Sequence, residues 1–138
     1  MAAIRAKDTK PELIVRKLLH GAGFRFRLHV KDLPGKPDIY LPKWKAVIEV
    51  QGCFWHSHDC HLFRQPRDNA PFWTQKLSTN RQRDARNAAA ITALGLRRLV
   101  VWQCAVTGRT RLAPDELQRQ IVEWLRSADM EGEITGEG

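Results

Sequence analysis

Two hydrophobic periods alternate along this chain, and each switch between them marks an element. In "DTKPELIVRKLLHGAG" Leu13, Val15, Leu18 and Leu19 supply the apolar face of a helix. Thr9 and Glu12 have capping-box spacing, Pro11 suits the first turn, and Gly21 and Gly23 stop the helix. "FRFRLHV" alternates apolar with basic residues, the period of a half-exposed strand with Arg25 and Arg27 solvated. Pro34-Gly35 is a turn, and Pro37 keeps the residue before it extended. "DIYL" and "KAVIEV" are then two strands joined by a tight turn around Lys43 and Trp44. With that turn centre Pro42 faces Lys45, and counting outwards sets Asp38 opposite Glu49, about 4.5–5.5 Å apart at Cβ. Glu49 and Gln51 share a strand face.

A long helix is expected from Phe72 to Leu94, closed by Gly95 and followed by the strand "RRLVVWQ". Leu77, Asp84, Ala88 and Ile91 fall on one of its faces, so Asp84 interrupts an apolar stripe. Either Arg81, Arg83 or Arg86 pairs with it, or the stripe aims it at a polar site. "PDELQRQIVEWLRS" is the last helix, with Leu117, Ile121, Trp124 and Leu125 as its core face. The acidic, Gly-rich "ADMEGEITGEG" is expected to fray. The pattern predicts a single α/β domain, residues 1–126, with a C-terminal tail over 127–138.

Composition narrows what such a domain could do. A chain of 138 residues can bury roughly two thirds of its unfolded surface in one core. No apolar run approaches the ~20 residues of a membrane span, and no signal-peptide core is present, so a cytoplasmic protein with no membrane partner is expected. Net charge is +8, from 23 Lys and Arg against 15 Asp and Glu. Such a balance favours an anionic partner, most often nucleic acid. Three cysteines argue against a disulfide framework and towards thiolate metal ligands.

The chemistry concentrates in "EVQGCFWHSHDC", residues 49–60. Asp38 and Glu49, if opposed, repel each other, and a shared divalent cation is the natural resolution; an exposed surface pair is the alternative. Cys53 and Cys60 frame His56 and His58, His61 lies just outside, and Cys104 ends the strand "VVWQC". Three thiolates and one histidine make a closed, structural Zn²⁺ site, though spacing does not choose the histidine. Three unrelated buried thiols are the competing account. Phe54 and Trp55, in a short loop between candidate ligands, suit stacking on bases or wedging between them, and equally suit a core. The arginines of "RQPRDNAPFW" and "STNRQRDARNA" suit phosphates.

"GKPDIYLPKWKAVIEVQGCFWHSHDC", with "NRQRD" and "VVWQC" after it, resembles the very short patch repair (Vsr) endonucleases, which nick DNA at T:G mismatches left by deamination of 5-methylcytosine. The likeness runs from "MAAIRAKDTKPE" through "VVWQCAVTGR", nearly the whole chain. It implies a PD-(D/E)xK, restriction-endonuclease-like fold: a central mixed sheet between helices. By position, Asp38 matches the Mg²⁺-binding aspartate and the backbone carbonyl of Val50 a further metal ligand. His56 matches the histidine that handles the attacking water's proton, and Asp84 the acidic residue that supports the site. Cys53, His58, Cys60 and Cys104 match the structural zinc ligands. Phe54 and Trp55 match the aromatics wedged beside the mismatch and Trp73 a further aromatic near DNA; among the basic residues, Arg81 and Arg83 are the candidate phosphate contacts, by residue type rather than by resemblance.

Three departures accompany the resemblance. Position 51 is Gln where the best-known form of the site has a second histidine, and Gln cannot take up a proton at neutral pH. Position 49 is Glu, so "EVQ" resembles the superfamily's ExK step with its lysine replaced, and Glu49 would bind Mg²⁺ directly. The chain begins at "MAAIRAKDTK", where family members usually carry a preceding helical arm that grips DNA. The resemblance implies a monomeric, Mg²⁺-dependent endonuclease acting on T:G-mismatched duplex DNA, with repair proteins following the nick. The rival readings are a restriction-like nuclease without mismatch preference, and a zinc-stapled DNA-binding module with a decayed active site.

Overall fold

The computed structural model describes residues 9–53 and 70–136. Residues 54–69, with Phe54, Trp55, His56, His58, Cys60 and His61, lie outside the described residues.

Helix α1 (Lys10–Gly21) starts where its cap predicts, and Glu12 reaches back to the Thr9 N–H at 3.0 Å. A short β1 (Arg27–Leu28) follows, then β2 (Ile39–Leu41), a 3-10 turn (Pro42–Trp44) and β3 (Ala46–Gln51). Long α2 (Ala70–Ala93) leads to β4 (Arg97–Trp102), and α3 (Gln103–Val106), α4 (Pro114–Arg126) and β5 (Glu131–Ile134) complete the order. The five strands form one sheet in the order β1-β2-β3-β4-β5. The first three are antiparallel neighbours and the last three parallel ones, so the sheet is mixed.

The β2–β3 register is the one counted from the sequence: Leu41 faces Ala46, Tyr40 faces Val47 and Ile39 faces Ile48. The turn reaches it through one 3-10 turn closed by Lys45 in the left-handed region, φ +48°. One sheet face sends Ile39, Leu41, Ile48, Leu99 and Val101 against Val15 and Leu19 of α1 and Leu117, Ile121 and Leu125 of α4. The other sends Val47 against Ile91 of α2. Of the 24 residues of α2 only Leu77 and Ile91 are buried, so that face is covered by a largely polar helix and a cleft remains beneath it.

Two segments differ from expectation. In "FRFRLHV" only Arg27 and Leu28 pair with β2, and His29 turns away with φ +47°. The segment expected to fray supplies β5, paired in parallel with β4. Its composition reads as disordered because a short edge strand buries little, here Ile134 and the backbone of Gly132. Gly132 passes so close under Trp124 that a Cβ there would overlap the indole.

Candidate active site

Asp38 stands just before β2, at the end of the sheet towards which α1 points its first turn. Its Oδ2 accepts the N–H of Val50 at 2.7 Å, and its backbone carbonyl accepts the N–H of His29 at 3.2 Å. Glu12, only 2% exposed, comes from α1. Its Oε2 accepts both the N–H and the hydroxyl of Thr9, at 3.0 and 2.8 Å. Its Oε1 is buried and receives no hydrogen bond from a described residue. Arg16 and His29 approach that oxygen only to 3.8 and 3.9 Å, while Arg16 and the His29 ring meet each other at 3.0 Å. One ligand atom each from Glu12, His29 and Asp38 lies within 4.8 Å of the others.

This crowding shows in the acidity of Asp38. Burial pushes its carboxyl up from 3.8 to about 8; the Val50 hydrogen bond opposes the rise, and the charge and hydrogen bonding of Glu12 and the charge of Glu49 add to it. A buried carboxylate crowded against a half-buried one lacks positive charge, which a divalent cation on oxygen ligands would supply.

The expected partner of Asp38 in such a pair is Glu49, and here the structure changes the picture. Glu49 Oε2 takes a short hydrogen bond from Arg98 Nε, 2.5 Å, in an ion pair whose side chains are 12% and 15% exposed. Arg98 stands opposite Val47 on β4, two residues along from Glu49 and on the same face. The carboxylate gathered with Asp38 is therefore Glu12, while Glu49 acts on it through charge. A hairpin count sees Glu49 but not the parallel strand that brings Arg98, which lies 49 residues further along the chain.

Gln51 is buried and lines a cleft of about 590 Å³ with Arg81, Asp84, Arg98, Trp102 and Glu133. Asp84 thus interrupts the apolar stripe of α2 where the helix spans this polar cleft, and of the flanking arginines Arg81 lines it too. Val50, between Glu49 and Gln51, joins the cleft to the Asp38 cluster through its N–H. At the end of β3, Cys53 shares a buried cluster with Val100, Trp102 and Cys104 of α3. Cys104 Sγ accepts the Gly136 N–H at 3.3 Å, the kind of contact that supports a thiolate. Their expected companions His58 and Cys60, the aromatics Phe54 and Trp55, and His56 lie outside the described residues. Trp73 meets Phe72 edge-on at 5.3 Å in the first turn of α2, and Arg81 and Arg83 are exposed.

Sequence reasoning missed Glu12 and His29. Glu12 satisfied a capping rule, which hid its second role; the spacing of His29 connects it to nothing until α1 and β2 meet.

A basic α/β domain with a buried and a half-buried acid clustered at one end of its sheet has the makings of an enzyme that acts on an anionic substrate, and comparison with known proteins specifies it. A family model described as DNA mismatch endonuclease Vsr matches residues 1–62. The Type II nicking enzyme V.XorIIP of Xanthomonas oryzae pv. oryzae is 50% identical over 107 residues, 78% of this chain and 79% of that protein. DNA mismatch endonuclease Vsr of Escherichia coli is 38% identical over 138 residues, 100% of this chain and 88% of that one. The Type II nicking enzyme V.NmeAIP of Neisseria meningitidis serogroup A is 39% identical over 123 residues, 89% and 87% of the two chains. The class is the DNA endonucleases, hydrolases with DNA as substrate. Within it, the chain belongs to the Vsr DNA mismatch endonuclease family. Among the described residues no helix is long and apolar enough to cross a membrane.

Proposed function

We propose that this protein nicks one strand of duplex DNA beside a T:G mismatch by Mg²⁺-dependent phosphodiester hydrolysis, in the very short patch repair of deaminated 5-methylcytosine. The observation that carries the reading is the cluster of buried Glu12 with half-buried Asp38, in a chain 38% identical to a DNA mismatch endonuclease over its full length.

Asp38 and Glu12, with the backbone carbonyl of Val50, are the groups that would hold Mg²⁺; the donor set is all oxygen, which suits that ion. When bound, the ion supplies charge neutralisation for a phosphate whose oxygens grow more negative during attack. Asp38 is aimed by the Val50 N–H and Glu12 by Thr9, so neither carboxylate needs to reorganise. His56 takes the proton of the attacking water, as an imidazole side chain can near neutral pH, and Asp84 orients that histidine or the water. Gln51 donates a hydrogen bond to phosphate or water without taking a proton. Glu49, held by Arg98, shapes the field at Asp38. The products are a 5′-phosphate and a 3′-hydroxyl.

Cys53, His58, Cys60 and Cys104 form the structural zinc site in this reading; the two described thiols fit, being buried together with an N–H donor on one sulfur. Zinc there would tie His58 and Cys60 to Cys53 and Cys104; Phe54 and Trp55 are read as the aromatics beside the mismatch, and Trp73, Arg81 and Arg83 as contacts to the duplex. The mixed sheet with helices on both faces is read as a restriction-endonuclease-like variant, acting as a monomer.

The test is incubation with Mg²⁺ and two duplexes that differ only in one T:G or T:A pair. Nicking of one strand at T:G alone is the expected result. Equal cutting of both duplexes would move the protein to the general nucleases, and DNA retention without cutting of either would make it a binding module.

A further inference from the structure

At the turn end of the β2–β3 hairpin lies a feature the cutting site does not use. A pocket of about 520 Å³ is lined by Phe24, Phe26 and Trp44 together with Arg25, Arg27, Lys43 and Arg126. Trp44 packs on Phe24 with ring centroids 5.3 Å apart, and neither Trp44 nor Phe26 is fully buried, so both offer ring surface to the pocket. All four cations are exposed, none has an ion pair among the described residues, and no acid lines the pocket. The six residues of β3 place it roughly 15–20 Å from Gln51 at about 3.3 Å per residue.

Four exposed cations around a concave, partly apolar floor make a region of positive potential that attracts an anion. A solvated basic face would need no aromatic floor, and an acidic peptide would not need ring faces. A nucleic-acid strand needs both: phosphates pair with Arg and Lys, and a base stacks on an aromatic face. In a duplex the bases are stacked on each other and cannot enter a pocket; an unpaired strand can present one. We propose that this pocket is a second DNA site, which takes one unpaired strand with a base against Trp44 or Phe26 and phosphates on Arg25, Arg27, Lys43 and Arg126. The site is separate from the nicking chemistry and does not depend on it.

The experiment measures binding of a fluorescein-labelled oligothymidylate by anisotropy, in EDTA, across a salt series. The Arg25→Gln, Lys43→Gln double variant removes two exposed cations, and a circular dichroism melt checks that it folds. Affinity should fall about tenfold or more, and the slope of log K against log salt should shrink by about 1.4, at roughly 0.7 for each single-strand phosphate contact. A 5-iodouracil oligonucleotide should crosslink on irradiation to peptides holding Phe26 or Trp44. The proposal is overturned if the variant's slope is unchanged, if crosslinks fall only within residues 70–84, or if polyglutamate displaces the oligonucleotide as well as unlabelled DNA does.

Discussion

Asp38 shows how a single side chain registers the need of a whole site. Its folded pKa of about 8 lies above the ordinary 3.8, so between those values the folded protein keeps a proton that the unfolded chain has released. Stability from this group is therefore complete at low pH and is lost as pH rises from about 4 to about 8. Urea unfolding in EDTA should show the wild type weaker at pH 8 than at pH 5 by on the order of 2 kcal/mol. Asp38→Asn, which cannot ionise, should flatten that dependence and abolish nicking; equal pH slopes in the two proteins would mean that Asp38 ionises freely. Glu49 makes the contrasting case. Arg98→Met leaves a mostly buried carboxylate without its cation and should cost about 3 kcal/mol, whereas Glu49→Leu with Arg98→Leu should recover most of that. If the double variant still nicks T:G DNA, Glu49 is a shaping charge; if it folds but is dead, Glu49 itself serves the metal. The sequence displayed Asp38, Glu49, Gln51 and Asp84 as candidates because local periodicity sets which face each occupies. It did not display which of them meet, since Glu12 and Arg98 arrive from elements that no local pattern connects to the hairpin.

At the scale of elements, legibility followed the strength of the local signal. Helix α1 had a cap and a stop, α4 a clean apolar face, and the β2–β3 hairpin a turn centre from which its register could be counted, and all three stand as read. β5 had none of these: its "EGEI" carries one buried side chain, and its pairing depends on β4 already being in place. What holds it is backbone pairing together with contacts that need the whole fold, such as Trp102 Nε1 donating to Glu133 and Gly132 lying beneath Trp124. Gly132→Ala therefore puts a methyl where the indole already is, and should cost about 1–3 kcal/mol by overpacking. A thermal melt checks this, with Gly95→Ala as the comparison: that position has open space but φ +77°, so its cost comes from backbone strain alone. Were Gly132→Ala as stable as the wild type, β5 would not be packed against α4 as it is seen here.

For the whole molecule, the question is what ties the cutting end together. α2 buries only Leu77 and Ile91 beneath it, and the cleft beside Gln51 stays open, so apolar packing alone holds that side weakly. Cys53 at the end of β3 and Cys104 in α3 sit on the same side, and Gly136 after β5 donates to Cys104. A zinc ion on these two thiolates would fasten the ends of β3 and β4 to the chain beyond β5, and its binding free energy would count directly as folding free energy. The purified protein should then contain one zinc per chain, and stripping it with a strong chelator should lower the melting midpoint by on the order of 10 °C or more. Cys104→Ser should give the same loss without chelator and gain nothing from added zinc. Nicking should disappear with the zinc even when Mg²⁺ is supplied in excess, because the expected ligands His58 and Cys60 neighbour His56 along the chain. A protein that contains no zinc, or that melts at the same temperature with and without it, would leave Cys53 and Cys104 as core thiols.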